Sequence, residues 1–520
     1  MPVMTNPSFY KRLFFWCKQH RWFLLILLLA SLLRFVWLGS VPIGLSWDEA
    51  AIGYNGYGIA VVRRDEWLNK LPVTFKSFGD YKAAAAIYAN AITTILFGST
   101  AFAVRLPMAF AGILTVVATY GIAKQLFRED RYALISMFLV AVSPINIHYS
   151  RIGFESGVGV AFSAVAMWMF LLAETWWPAL FASVVSAAAS LYAYHSPKIT
   201  LPILFVGFLL FKRKWVSKHL LLLGTAGVFG LVLLIPLVRE TISGPAGERF
   251  FMTSVIANRS GLLPLPTIVS TLARNLQLHL DPAFLFFGAS TTLRHGNRMF
   301  GILGFAEGVL LISILLRFRK KFDNNATLLP IIISIAAGFL PALISNDAPH
   351  SNRAHGIVPW IQLLATVGFI SIEQTVLKNK RALLFRALVI LTLVQTIIYS
   401  YVYYRVYTGD EAGLEFQYGY MEAVQVARSY ESQVDHVVMT DAYQQPYIFV
   451  LFGKRLTPIQ WQQGALANYQ FRPIHWDSDK TSSRVLFIGS PIEIPSDAKG
   501  IVHEVRYPSG SVAFRIVKKE

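Results

Sequence analysis

Trp22–Ala50 reads WFLLILLLASLLRFVWLGSVPIGLSWDEA. It opens on an apolar run, Trp22–Leu38, of the length a bilayer crossing needs, roughly 20 apolar residues. It closes on the first adjacent carboxylates of the chain, Asp48 and Glu49. Two readings of that close compete. In one, Ser46 or Asp48 caps a helix running through Ala50, Ala51 and Ile52 by accepting hydrogen bonds from its free N–H groups. In the other, a carboxylate stands where a membrane helix ends and water begins, placed to take a proton from a nucleophile.

The composition favours a membrane setting. Of 520 residues, 55% are hydrophobic and only 15% charged, against about 25% charged in soluble domains, and the mean hydropathy is +0.50. The formal net charge of +18 invites a nucleic-acid partner. The Lys and Arg residues instead lie in short clusters between apolar runs, the pattern of cytoplasmic loops, so no nucleic acid is expected. A single cysteine, Cys17, excludes an intramolecular disulfide and a Cys-based metal site.

Working outward, Lys11, Arg12, Lys18 and Arg21 precede the first run and place the N-terminus in the cytoplasm. A polar and amphipathic stretch, 39–101, follows. Inside it Ala83–Phe97 is apolar but too short to span, and reads as a helix in the outer interface. With that segment left out, ten further runs alternate: Ala103–Ala123, Tyr132–Ile147, Ser156–Ala173, Trp177–Tyr194, Ile199–Phe211, Leu220–Val238, Phe300–Leu316, Leu328–Ile344, Gly356–Ile372 and Ala387–Tyr404. The basic groups Lys124/Arg128/Arg131, Lys212/Arg213/Lys214/Lys218, Arg317/Arg319/Lys320/Lys321 and Lys378/Lys380/Arg381/Arg386 then all fall inside. The expected fold class is an all-α polytopic membrane protein of about 11 transmembrane helices, residues 1–404. A small α/β extracytoplasmic domain, 405–520, follows. In it Tyr420–Tyr430 reads as a helix and His436–Thr440, Val485–Ile488 and Val512–Val517 as strands.

This topology gathers unusual polar residues on the outer face: Asp48, Glu49, Asp80, Lys82, Arg151, Glu155, His279, Asp281, Arg294, His295, Arg298, Asp347, His350, Arg353 and His355. Singly each reads as a wet loop residue, His295 in particular. Several border apolar spans, where an ionisable group is costly unless it is paired or functional. A carboxylate base beside basic residues that hold a phosphate suits group transfer from an amphiphile, whose head sits at the interface while its tail stays in lipid.

Phe78-Gly79-Asp80-Tyr81-Lys82-Ala83, Leu96-Phe97-Gly98-Ser99 and Arg105-Leu106-Pro107 resemble the polyprenyl-phosphate-dependent glycosyltransferases of the GT-C fold, in the branch of protein O-mannosyltransferases and lipid A aminoarabinose transferases. Trp47-Asp48-Glu49 stands where that family keeps its first-loop acidic motif, and Ser150–Glu155 resembles its second acidic region. The layout extends from Trp22 to Tyr404 and is specific only in the first roughly 135 residues after the first span. The resemblance implies Asp48 as catalytic base and Glu49 as orienting the acceptor or Asp48. It implies Lys82 as the donor-phosphate ligand, although Ala83 and Ala84 replace the family's two prolines. Arg105, Arg151 and Arg353 are further candidates for the phosphate. Asp80, Glu155, Asp347 and His350 are candidates near the acceptor or a metal. No cofactor is required with certainty. A divalent metal remains an option, and no metal-ligand spacing fixes one.

The implied reaction moves a sugar, with inversion, from a polyprenyl-phosphate donor to a protein, lipid or glycan acceptor on the outer face of the inner membrane, with membrane lipid as the other partner. The competing readings are a flippase or transporter of lipid-linked sugars, a non-catalytic scaffold, and an oligosaccharyl- or phosphotransferase of similar layout. A transporter would want charges inside its spans, and here they sit at the margins.

Overall fold

The computed structural model describes residues 18–244, 248–258, 260–288, 292–315, 327–375 and 380–520. Lys11, Arg12, Cys17, Arg317, Arg319, Lys320, Lys321 and Lys378 lie outside them. Helix α1 is Arg21–Phe35 and α2 Trp47–Val62. A hairpin of β1 (Thr74–Ser77) and β2 (Asp80–Ala83) leads into α3 (Ala84–Phe97) and the 27-residue α4 (Ala101–Phe127). Then come α5 (Asp130–Ala141), α6 (Pro144–Tyr149), α7 (Ser156–Leu172), α8 (Ala179–Ala193), α9 (Pro197–Phe211) and α10 (Leu220–Ser243).

Among the described residues, three helices are long and apolar enough to cross a membrane: Ala101–Phe127, Leu220–Ile242 and Ala382–Tyr407. A fourth is reached if Ser351–Ile357 and Trp360–Gln374, bent by 51°, form one broken span. By this measure the expected count of about 11 spans is not met. The other apolar runs form shorter helices, such as the 12-residue Asp130–Ala141 and the 9-residue Phe305–Ser313. Helix α10 leaves Leu221, Leu231, Val232 and Ile235 more than half exposed, the surface a lipid-facing helix presents.

The C-terminal region carries a five-stranded sheet: β3 (His436–Met439), β4 (Tyr469–Phe471), β5 (Val485–Gly489), β6 (Ile501–Arg506) and β7 (Val512–Lys519), in the order β4-β3-β5-β7-β6. The first three strands run parallel, and β7 and β6 add antiparallel. Strand β5 is buried along its whole length, hence its unbroken apolar sequence. The expected helix Tyr420–Tyr430 and three of the strands form. Strands β4 and β6 escape sequence reading because they are short or carry charges, as in His503, Glu504 and Arg506.

This region is welded to the first loop. The helix expected to end at Tyr404 continues to Tyr407, whose carbonyl accepts the Ile43 N–H at 2.9 Å. The Trp47 N–H donates to Gln417 Oε1 at 3.0 Å. Gly53 lies in α2 because a Cβ there would stand 2.7 Å from the Phe452 ring. Helix α2 therefore shares one hydrophobic core with the sheet and its helices, through Ala50, Tyr54, Val424, Phe449 and Phe452.

Gly44 tests this junction. Its φ is +81°, and a Cβ there would approach the Phe416 carbonyl to 2.4 Å. Gly44→Ala is expected to cost about 1–3 kcal/mol, read as a lower thermal unfolding midpoint in detergent. An unchanged midpoint would mean that the junction gives way without cost.

Candidate active site

Ser46 and Glu49 form a reciprocal cap at the start of α2. The Ser46 hydroxyl accepts the Glu49 N–H at 3.3 Å and the Glu49 carboxylate accepts the Ser46 N–H at 2.9 Å, the S-x-x-E pattern that satisfies two orphan donors. Glu49 is 1% exposed. It also accepts the Gly153 N–H at 2.9 Å and the Arg105 guanidinium at 2.7 and 3.2 Å. The remaining N–H groups of Arg105 reach the carbonyls of Leu38, Pro42 and Gly44 at 3.3, 2.8 and 2.9 Å. Arginine has five donors, and all five are used. Arg105, expected as a phosphate ligand, is instead a fully paired buried clamp that ties α2, the 38–44 turn, α4 and the 153 loop together. Glu49 is equally committed.

Asp48, one residue earlier on the helix, points elsewhere. Its side chain is 19% exposed and forms an ion pair with Lys82, whose side chain is 9% exposed. Lys82 is delivered by β2. The hairpin turn passes through Phe78 and Gly79, both at positive φ, and the Phe78 ring packs edge-on against Tyr447 of the C-terminal region at 6.1 Å. Ala83 stands where the family has its first proline. Its φ of −75° and ψ of 152° are values a proline would adopt. Ala84 then opens α3 at the first helical position, another site suited to proline. The His195 imidazole lies 3.1 Å from the Tyr81 carbonyl through Nε2, and Lys198 Nζ lies 3.5 Å from its Nδ1. The sequence reading missed His195 and Lys198, and their only signal is two basic side chains at the mouth of an apolar run.

Arg151 is committed to backbone carbonyls through both terminal nitrogens, while its Nε makes no hydrogen bond. Its guanidinium donates to the carbonyls of Leu33, Arg34, Val36 and Val41 at 2.9–3.2 Å, closing the C-terminal end of α1 as cations do. It lies over the Tyr403 and Tyr404 rings. This corrects its expected place among the phosphate ligands. Asp80 accepts the Tyr81 N–H at 2.7 Å, and Glu155 is buried at the start of α7. Asp347 is 3.4 Å from His350 and largely exposed. Arg353 lies on the short helix Ser351–Ala354. Among the described residues, no three His, Cys, Asp or Glu side chains converge to hold a metal ion.

A histidine cluster borders the site. His295 stacks on Phe154 at 5.3 Å and lies 4.3 Å from the His350 ring, so it is no freely solvated loop residue. His148 lies 3.0 Å from the Arg294 carbonyl through Nε2, and Tyr149 shares a 2.7 Å hydrogen bond with Ser351. Arg294 covers the Trp47 ring at 4.3 Å, bringing this loop over the Asp48 helix. Burial pushes His148 down to about 4 and His295 well below the ordinary histidine value, where the neighbouring His350 adds to the effect. Both imidazoles are neutral in the folded protein, whereas the unfolded chain takes up protons below its own value of about 6.5. Their contribution is complete above that pH and is lost as pH falls toward 4. The unfolding midpoint is expected to be level above about pH 6.5 and to drop by several degrees on acidification, less steeply in His148→Asn. An identical slope in that variant would remove His148 from the account.

The family profile described as dolichyl-phosphate-mannose-protein mannosyltransferase matches residues 82–238, beginning at Lys82. No curated protein matches the chain. Among solved structures the chain is similar to ArnT from Cupriavidus metallidurans, with TM-scores of 0.56 in the apo state and 0.57 bound to undecaprenyl phosphate. In both, identity is 13% over 96% of this chain and 98% of that one. It is also similar to the oligosaccharyltransferase from Archaeoglobus fulgidus tethered to an acceptor peptide, with a TM-score of 0.52, 13% identity, and 96% of this chain and 74% of that one covered. By shape along nearly its whole length the chain has the GT-C fold, similar to ArnT, and over residues 82–238 its sequence is similar to the dolichyl-phosphate-mannose-protein mannosyltransferases.

Proposed function

We propose that the protein is a membrane glycosyltransferase that takes a sugar from a polyprenyl-phosphate donor on the outer face and transfers it to a protein, lipid or glycan acceptor. The observation that carries this reading is the Asp48–Lys82 ion pair, an anionic proton acceptor and a cation in contact at the edge of a rigid frame. The mannosyltransferase profile and the undecaprenyl phosphate bound to ArnT support it.

In the resting protein Lys82 neutralises Asp48. The donor phosphodiester brings a second anion to the same ammonium and competes for Lys82, loosening Asp48 to act as base. The acceptor O–H or N–H then loses its proton to Asp48 as its heavy atom attacks the anomeric carbon. The bond from that carbon to the phosphate oxygen breaks, and polyprenyl phosphate leaves with the electron pair. A single displacement inverts the anomeric centre. Lys82 stabilises the charge that develops on the leaving phosphate.

Neighbouring carboxylates then have opposite roles. Asp48→Asn is expected to lower turnover by at least about a hundredfold with donor affinity and unfolding midpoint little changed. Glu49→Gln leaves Arg105 buried without its anion, and is expected to cost roughly 3–5 kcal/mol of stability. Full activity in Asp48→Asn would exclude Asp48 as the base. Lys82→Ala is expected to weaken binding of polyprenyl phosphate about tenfold or more, measured by titration into detergent-solubilised protein, and wild-type affinity would remove Lys82 from the phosphate site.

A further inference from the structure

Between the apolar helices Leu220–Ile242 and Phe305–Ser313 the chain forms the 16-residue helix Leu265–Leu280. With 3.6 residues to a turn, its side chains sort into three stripes about 120° apart. Asn275 and His279 mark the first stripe and are buried. Asn275 Nδ2 donates to the carbonyls of Leu343 and Ser345, both at 2.8 Å. His279 Nε2 accepts the His350 N–H at 3.0 Å, and its Nδ1 lies 2.7 Å from the Asn275 carbonyl. The second stripe, Leu265, Val269, Leu276 and Leu280, is 44–71% exposed. The third, Thr267, Ser270, Arg274 and Gln277, is also exposed and wholly polar.

A helix on a soluble core turns its apolar stripe inward. Here buried polar side chains tie the helix to the protein, and an apolar stripe faces out. A continuous exposed apolar stripe marks a surface with a partner, and the surroundings say which. Leu343 ends the apolar helix Leu328–Leu343, whose Leu329 and Ile332 are themselves exposed. Asn275 therefore holds Leu265–Leu280 at the edge of the apolar bundle. The Val255 N–H donates to the Ile344 carbonyl at 2.8 Å, and Ser254 bridges to Ser345. These contacts keep the preceding segment at the same level, where Phe251, Met252 and Leu262 add exposed apolar surface. A helix at that level with one face for the protein, one apolar and one polar fits a boundary that is hydrocarbon on one side and water on the other. We propose that Leu265–Leu280 lies along the membrane surface, with Leu265, Val269, Leu276 and Leu280 in the upper acyl region of the adjoining leaflet and Thr267, Ser270, Arg274 and Gln277 in water. Interfacial helices sink their apolar face about 5–10 Å past the headgroups. The bilayer then helps to place His350, which the helix holds through His279. This inference requires only that the chain spans a membrane and is independent of the transfer reaction.

Depth-dependent quenching tests it. Cys17 is the only cysteine, so Cys17→Ser gives a background for single labels. In that background Val269→Cys, Leu276→Cys, Ser270→Cys and Gln277→Cys each carry the small fluorophore bimane, in nanodiscs of plain phospholipid or of phospholipid brominated near the headgroup or near the chain ends. Thermal unfolding checks that each labelled protein is folded, and Leu265→Cys reports the same apolar stripe should the label at Leu276 disturb the fold. Labels at Val269 and Leu276 are expected to be quenched about twofold or more by bromine near the headgroup, less by bromine near the chain ends, and little by iodide in the water. Labels at Ser270 and Gln277 are expected to respond to iodide and not to bromine. Apolar-stripe labels quenched by iodide as strongly as the polar-stripe labels would overturn the proposal, because that stripe would then face water. Apolar-stripe labels shielded from both quenchers would overturn it too and assign the stripe to a second copy or another protein.

Discussion

The buried pair of Glu49 and Arg105 is the constraint on which the rest of the site depends. Two charges taken out of water are costly unless every donor and acceptor finds a partner. Here Arg105 uses all five N–H groups and Glu49 accepts four hydrogen bonds. The result is a node joining four chain segments that are distant in sequence. It fixes the first turn of α2, and with it the direction in which Asp48 leaves the helix. Replacing the pair with apolar residues would remove the desolvation cost, and it would also remove the hydrogen bonds that hold the 38–44 turn.

A second set of contacts positions the cation. Lys82 sits on a two-stranded hairpin, which has little stability of its own. The hairpin is braced by Phe78 on Tyr447 and by His195 at the Tyr81 carbonyl. The C-terminal sheet, packed into one core with α2, therefore contributes to the geometry of a site built from residues of the first hundred. Helix start and hairpin meet at the Asp48–Lys82 contact only because both are tied to that core.

Much of this was legible in the sequence. The apolar runs gave helices, and the acidic step after the first run marked the start of α2. The cap reading describes the structure, and the catalytic reading of the neighbouring carboxylate stays a proposal. Glu49 with Ser46 is the cap, and Asp48 is the part-buried carboxylate paired with Lys82. The S-x-x-E spacing from Ser46 to Glu49 could have divided the roles at once. The arginines were the harder problem. Arg105 and Arg151 carry the charge a phosphate site needs, but a charge at a span margin binds a ligand or closes the backbone with equal sequence signature. Arg34 in α1, hydrogen-bonded to the Ala30 and Ala141 carbonyls, shows that this chain uses buried arginines as clamps. Where the apolar runs give short helices, hydropathy marks the runs, while prolines such as Pro144, Pro197 and Pro359 set where helices begin and bend.

The most direct test is a structure of the protein with polyprenyl phosphate bound. The account predicts the phosphate within hydrogen-bonding distance of Lys82 Nζ, the Lys82–Asp48 contact opened, and Arg105 still locked on Glu49. A phosphate held by Arg105 or Arg151 with Lys82 still paired to Asp48 would contradict it.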